Sequence, residues 1–312
     1  MAAGPAVGEG TPIPWLWDGY LAAGFITLLT GLWKAGKTTL VAHLLRLLAD
    51  GGELAGAVKP ARVLVVTEEN GGLWRRRRDE LGIGDHVHLL PRPFNVRPKL
   101  SQWEAFALHV AELVRAESYG LVVCDTLPSF WPVTKENDAS EVIAALTPLH
   151  TVADAGAAVL LTHHPRKGDA GEGQAARGSG ALPGFVDAIL ELRRFGPDNR
   201  DDRRRVITAY SRFDETPPEV VIELRDDGYR LVGTKADARQ TDRLSAIAEL
   251  LPADLAGVTA DELLTSWPET GPAKPGKRTM QVDLKAGAQS GRWMQLGTGT
   301  RNDPFRYRGN GA

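Results

Sequence analysis

Short apolar, β-branched runs alternate with longer stretches of helical spacing from Trp15 to Thr162. The runs at 25–30, 62–67, 86–90, 120–125 and 157–162 predict buried strands, and the stretches at 38–49, 72–81, 101–116 and 139–155 predict helices between them. Strict alternation of this kind implies right-handed crossovers and a parallel sheet whose ligand sits at the carboxyl ends of its strands. The pattern then changes. Four runs, 186–192, 205–211, 219–224 and 229–232, follow without intervening helices and predict antiparallel strands. Asp226-Asp227-Gly228 supplies the turn of a closing hairpin at the sheet edge.

The hydrophobic pattern breaks again over 234–241, which predicts a linker, and residues 1–13, rich in Ala, Gly and Pro, predict a loose tail. Between them, 14–233 forms one α/β domain. Beyond the linker, 242–312 shows helical spacing at 243–251, 259–267 and 278–286, then two short runs at 293–296 and 305–308 around a Gly-rich tip. Three helices and a two-stranded wing suggest a winged helix-turn-helix; a helical cap with a hairpin packed on the first domain is the other reading.

Composition narrows the partners. At 312 residues and 43% apolar content the chain supports a full core. A formal charge of -2 argues against a general electrostatic grip on nucleic acid, so such contact requires a local patch. One exists: from Gly271 to Ala312 eight Lys and Arg stand against two Asp, a net of +6. Cys124 is the one cysteine, which excludes an internal disulfide and points to a reducing, cytoplasmic setting. It lies in an apolar run and reads as a small core side chain. No stretch is long and apolar enough for a membrane span, and the start lacks the regions of a signal peptide, so a soluble protein with no membrane partner is expected.

The densest chemistry follows the first long apolar run. Gly31-Leu32-Trp33-Lys34-Ala35-Gly36-Lys37-Thr38 fits G-x-x-x-x-G-K-[ST], with Thr39 next in the helix it opens. Glycines let backbone N–H groups curl around a polyphosphate, Lys37 reaches its outer phosphates, and Thr38 ligates Mg2+. ATP with Mg2+ is therefore the expected ligand pair. Asp125 ends the strand at 120–125, where a carboxylate meets the magnesium, usually through water. Glu68 and Glu69 end the strand at 62–67; one of them is placed to polarise an attacking water, and Glu68 is preferred. His163 and His164 end the strand at 157–162, within reach of a γ-phosphate; a metal role for the pair lacks further ligands. The glycine-rich charged stretch 167–180 predicts a projecting loop, and Arg177, Arg193 and Arg194, in or after it, are candidates for a transition-state cation. The run of four arginines at 75–78 points all round a helix and reads mostly as a solvated face.

Together, WLWDGYLAAGFITLLTGLWKAGKTT, VLVVTEENGGLWRRRRDELG, LVVCDTLPSFWPVTKENDASEV, AVLLTHHPRKG and ARGSGALPGFVDAILELRRF resemble the RepA-type branch of the RecA-like P-loop ATPases over about 15–232. The resemblance implies a homo-oligomeric ring, commonly a hexamer, with ATP between subunits. It places Lys37 and Thr38 on phosphate and magnesium, Glu68 on the water, Asp125 on magnesium and one of the two histidines near the γ-phosphate. It also implies that the loop after the histidines faces a central channel, where helicases of this kind hold single-stranded DNA. Arg77 falls where the family often has an arginine. The chain departs from RepA proteins at the finger position, occupied here by Leu190; Arg194, with Arg193 and Arg177 behind it, fits the later position found in DnaB-like helicases. The expected activity is thus Mg-dependent ATP hydrolysis on DNA, as in a replicative helicase of a plasmid, phage or integrated element. An ATP-gated DNA-binding regulator or a recombination-associated ATPase is the alternative, with duplex contact through 242–312.

Overall fold

The computed structural model describes residues 12–164, 180–196, 199 and 201–310. The expected tail at 1–13, apart from its last two residues, and the loop 167–180 with Arg177, apart from Gly180, lie outside these residues. The chain divides into two compact units, Met1–Val232 and Gly233–Ala312.

The first unit opens with β1 (Trp15–Trp17) and β2 (Leu21–Ala22), followed by β3 (Ile26–Thr30) and α1 (Lys37–Leu47). Then come β4 (Gly52–Glu53), β5 (Ala57–Val58), β6 (Arg62–Thr67), α2 (Gly71–Leu81), β7 (Val87–Pro91), α3 (Leu100–Glu117) and β8 (Tyr119–Asp125). After a 3-10 turn at Leu127–Ser129 follow α4 (Ala139–Leu146), α5 (Pro148–Ala153), β9 (Ala158–His163), α6 (Ala181–Phe185), β10 (Ala188–Arg194), β11 (Arg204–Ser211), β12 (Glu219–Arg225) and β13 (Gly228–Gly233). The central sheet runs β13-β12-β11-β10-β3-β9-β8-β6-β7, and a small sheet runs β2-β1-β5-β4.

From β10 to β7 every neighbour pair is parallel. This is a RecA-like α/β core with antiparallel strands added on one side. Such strands are covered on both faces, which is why they read as continuous apolar runs rather than as alternation. Val63, Val65, Leu121, Val123 and Leu160 face α1 and α2 through Leu40, Leu44 and Trp74. Leu64, Val66, Val122, Cys124, Val159 and Leu161 face α3, α4 and α5 through Trp103, Val110 and Leu149. Burial pushes the Cys124 thiol up to about 12, in keeping with a core role.

Three expectations need correction. The run at 186–192 was expected to pair antiparallel; β10 is parallel to β3, and antiparallel pairing begins only with β11. A buried strand has the same apolar signature in either sense, so direction was not written in the pattern. The helix at 139–155 is two helices, because Pro148 lacks the N–H needed to continue α4 and instead begins α5. The linker at 234–241 is the first half of α7 (Lys235–Leu250). The Thr234 hydroxyl accepts a hydrogen bond from the Asp237 N–H, and the Asp237 carboxylate accepts one from the Thr234 N–H, a reciprocal cap that starts a helix where polarity alone suggested coil.

The second unit continues with α8 (Ala260–Thr265), α9 (Lys277–Gln289) and the antiparallel pair β14 (Trp293–Leu296) and β15 (Arg306–Gly309). Its core joins Ile247, Leu263, Met280, Leu284, Trp293 and Tyr307. Gly287 lets α9 pack directly on Trp293: a Cβ there would lie 1.9 Å from the indole ring. The Trp293 Nε1–H completes the contact by donating to the Leu284 carbonyl at 2.9 Å.

Candidate active site

β3 is the strand from which the phosphate loop leaves, and β9 separates it from β8, so the carboxyl ends of β3, β9, β8 and β6 bring residues far apart in sequence to one edge. Gly31 leaves β3 where a Cβ would stand 2.4 Å from the Leu192 carbonyl oxygen, so no larger residue fits. Gly36 takes φ 104°, a left-handed conformation that glycine adopts without steric cost, and α1 begins at Lys37. Leu32, Trp33 and Lys34 are exposed along the loop, with the Lys34 ammonium 4.3 Å from the Trp33 ring centre; Ala35 is buried and Thr39 is exposed.

Lys37 is buried, and its ammonium donates to the Gly31 carbonyl at 2.6 Å and to His164 Nδ1 at 2.8 Å. These acceptors carry no charge. Burial therefore lowers the Lys37 pKa to about 8, with the Asp125 carboxylate pulling the other way. An anionic ligand is the natural relief for a cation so placed. Burial, and then the Lys37 ammonium, lower the His164 pKa, with Glu68 opposing. His163 is buried deeper, with its ring edge-on to Trp131 at 6.4 Å and its Nδ1 without a hydrogen-bond partner among the described residues. Burial, then His164 and Lys37, bring its pKa down to about 4.

Asp125, at the end of β8, is 2% exposed and accepts a hydrogen bond from the Thr162 hydroxyl at 2.6 Å. Burial raises its pKa, as do Glu69 and Glu68, while hydrogen bonds from Thr162 and Thr38 oppose the rise. Thr38 and Asp125 thus meet as a pair of hard oxygen donors beside an incompletely neutralised carboxylate. That set fits Mg2+, which takes one or two protein oxygens and completes its shell with water and phosphate. Among the described residues no cluster of three His, Cys, Asp or Glu could hold a metal ion.

The two glutamates after β6 have different surroundings. Glu69 forms a two-pronged ion pair with Arg77, whose guanidinium also lies over Trp74 at 5.0 Å. Glu68 is exposed and accepts hydrogen bonds from Thr126, at 3.3 Å, and from Ser129; these hydroxyls are themselves 3.1 Å apart. Of the other arginines at 75–78, Arg76 pairs with Glu80 and Arg78 with Asp85. Arg76–Glu80 is a surface pair, as expected for a solvated face, whereas Arg77 and Arg78 are both partly buried.

Arg194, at the end of β10, lies beside the phosphate loop of its own chain. Arg194 donates to the Lys34 carbonyl at 3.4 Å, and Arg193 pairs with Glu191 at 2.7 Å. Arg205, on β11, is a contributor the sequence reading did not single out. Its Nε–H donates to the Ala35 carbonyl at 2.8 Å, and its guanidinium also donates to the carbonyls of Asp202 and Arg204. Burial, opposed by Tyr229, lowers its pKa. Thr126, Ser129 and Thr162 were likewise missed. A short hydroxyl carries no motif, but Thr126 and Ser129 follow Asp125 closely enough that the turn after β8 was a place to look.

The family model described as AAA domain, AAA_25, matches residues 3–170. Among solved structures, a KaiC-like protein from the hyperthermophilic archaeon Pyrococcus horikoshii OT3 is similar, with 18% identity over 70% of this chain and 99% of that one at a TM-score of 0.48. No curated protein sequence matches the chain.

Proposed function

The chain belongs to the AAA_25 family of AAA-domain proteins, and on that premise we propose that it hydrolyses ATP with Mg2+ and couples the reaction to work on DNA. The observation that carries the catalytic half is the meeting of Lys37, Thr38, Asp125 and Glu68 at one sheet edge. Backbone amides of the loop from Gly31 to Thr38 and the N-terminus of α1 hold the polyphosphate, and Lys37 exchanges neutral acceptors for phosphate oxygens. Thr38 and, through water, Asp125 would hold Mg2+, which would supply charge neutralisation on the outer phosphates. Glu68, fixed by Thr126 and Ser129, accepts the proton of the attacking water. Glu69 is committed to Arg77 and serves to hold the end of β6. The histidines respond to the nucleotide, His164 through its hydrogen bond to Lys37.

For the DNA half, we read the chain as a ring-forming, RepA-like replicative helicase, hexameric, with single-stranded DNA in its channel. Its support is the family membership together with the sequence resemblance across the core. Arg194 remains the first candidate for a cation acting on a neighbour's nucleotide, although its hydrogen bond to the Lys34 carbonyl joins it to its own loop. A second reading, an ATP-gated DNA-binding regulator, draws on the concentration of basic residues from Gly271 to Ala312. The two separate by ATP turnover measured with and without DNA. Stimulation by single-stranded DNA supports the helicase, stimulation by duplex alone supports the regulator, and no response to either removes the DNA half.

A further inference from the structure

We propose that the groove between α9 and the β14–β15 hairpin is a duplex-DNA site, with the exposed face of α9 in the major groove and the hairpin on the adjacent backbone. This rests on the reading that the chain acts on DNA and adds where and how duplex is held.

The sorting of charge carries the inference. Asp283, 1% exposed, is taken by Arg243 at 2.6 Å and Gln240 at 3.0 Å, which ties α7 to α9. Glu262 caps α8 through the Thr259 N–H and meets Arg306 at 3.3 Å. Asp303 holds the tip of the hairpin by accepting from the Thr298 N–H at 2.8 Å. Asp261 pairs with Lys277 at 2.8 Å. The unit's structure thus uses these four carboxylates. Arg278, Lys285, Arg292 and Arg301 are left exposed, with no carboxylate partner among the described residues. Unpaired cations gathered on one helix and one hairpin complement a phosphate backbone.

Shape selects duplex. Met280, Asp283, Leu284 and Gly287 form the buried face of α9, and Arg278, Gln281, Val282 and Lys285 the opposite one. Thirteen helical residues span roughly 20 Å, and a helix is about as wide as the major groove. Arg and Gln are side chains that pair with guanine and adenine edges there. Beside this face lies a groove of ≈ 710 Å³ lined by Lys277, Gln281, Lys285, Gln295, Phe305 and Tyr307, room for a strand of the backbone. Single strands are held by several stacking aromatics. Here Trp267, Trp293 and Tyr307 are buried, and Phe305 alone among the aromatics of the unit's described residues is exposed.

The test uses the full chain and a fluorescein-labelled duplex of about two helical turns, read by anisotropy across a salt series without nucleotide. Arg278→Glu with Lys285→Glu should weaken binding at least about tenfold and flatten the salt dependence by about two in slope. The milder pair Arg278→Gln and Lys285→Gln should do the same in smaller measure, and Lys59→Glu, on the first unit, should change nothing. Asp261→Asn, which removes a carboxylate from the groove and releases Lys277, should tighten binding. ATP turnover without DNA should be equal in all of them. Charge-reversed protein that binds as wild type does, or Asp261→Asn protein that binds more weakly, overturns the proposal. If single-stranded DNA fails to stimulate turnover while duplex binding still depends on α9, the helicase reading falls and this site stands. Stimulation with duplex binding indifferent to α9 removes this site alone.

Discussion

Lys37 carries the site's electrostatics at the scale of the residue. Its ammonium is buried among neutral acceptors with its pKa lowered to about 8, and a polyphosphate would raise that value. Nucleotide binding near pH 8 to 9 should therefore take up a proton, and affinity should fall as pH rises above about 8. Calorimetry in buffers of different ionisation enthalpy checks both, and absence of proton uptake would remove Lys37 from the phosphates. His163 predicts a dependence of stability on acid. Its folded pKa, about 4, lies below the ordinary 6.5, so the native state binds fewer protons between those values. Its stabilisation is complete above pH 6.5 and is lost as pH falls toward 4, by about 3 kcal/mol. Denaturant titration of His163→Gln should show a flatter decline over that window. Ser129 orients Glu68 through one hydroxyl, so Ser129→Ala should lower kcat about fivefold with KM unchanged, the effect of one lost hydrogen bond. In a Glu68→Gln background the same change should do nothing further. The phosphate loop was legible because its function constrains backbone and side chain at consecutive positions. Ser129 and Arg205 were not, because each acts by its place in the fold rather than by its spacing in sequence.

Among elements, α9 depends on one close approach. Gly287→Ala would drive a methyl group into Trp293 and should loosen the second unit by several kcal/mol, seen as a red shift of Trp fluorescence, while ATP turnover by the first unit persists. Retained packing with an unchanged spectrum would contradict the contact. The inner strands of the first unit were written in the apolar pattern because β3, β9, β8 and β6 are covered on both faces. What the pattern lacked was direction and interruption. The parallel pairing of β10, the break before Pro148 and the early start of α7 come from chain connection, a missing N–H and a reciprocal cap, none of which alters apolar spacing. Thr234 and Asp237 held the capping signal that the polarity of 234–241 concealed.

Across the whole molecule, two units divide the chemistry: the first gathers a phosphate loop, the oxygens of Thr38 and Asp125 and the exposed carboxylate of Glu68 at one sheet edge, and the second exposes cations that have no carboxylate partner among the described residues. Among the described residues no helix is long and apolar enough to cross a membrane. The catalytic claim turns on the division of labour between Glu68 and Glu69, and single-turnover hydrolysis of ATP by Glu68→Gln protein tests it most directly. The expected result is nucleotide binding close to wild type with hydrolysis slowed roughly 100-fold or more, whereas Glu69→Gln, which breaks the ion pair with Arg77, should retain most of its chemical rate at reduced stability. Glu68→Gln protein that hydrolyses ATP at the wild-type rate would contradict the account.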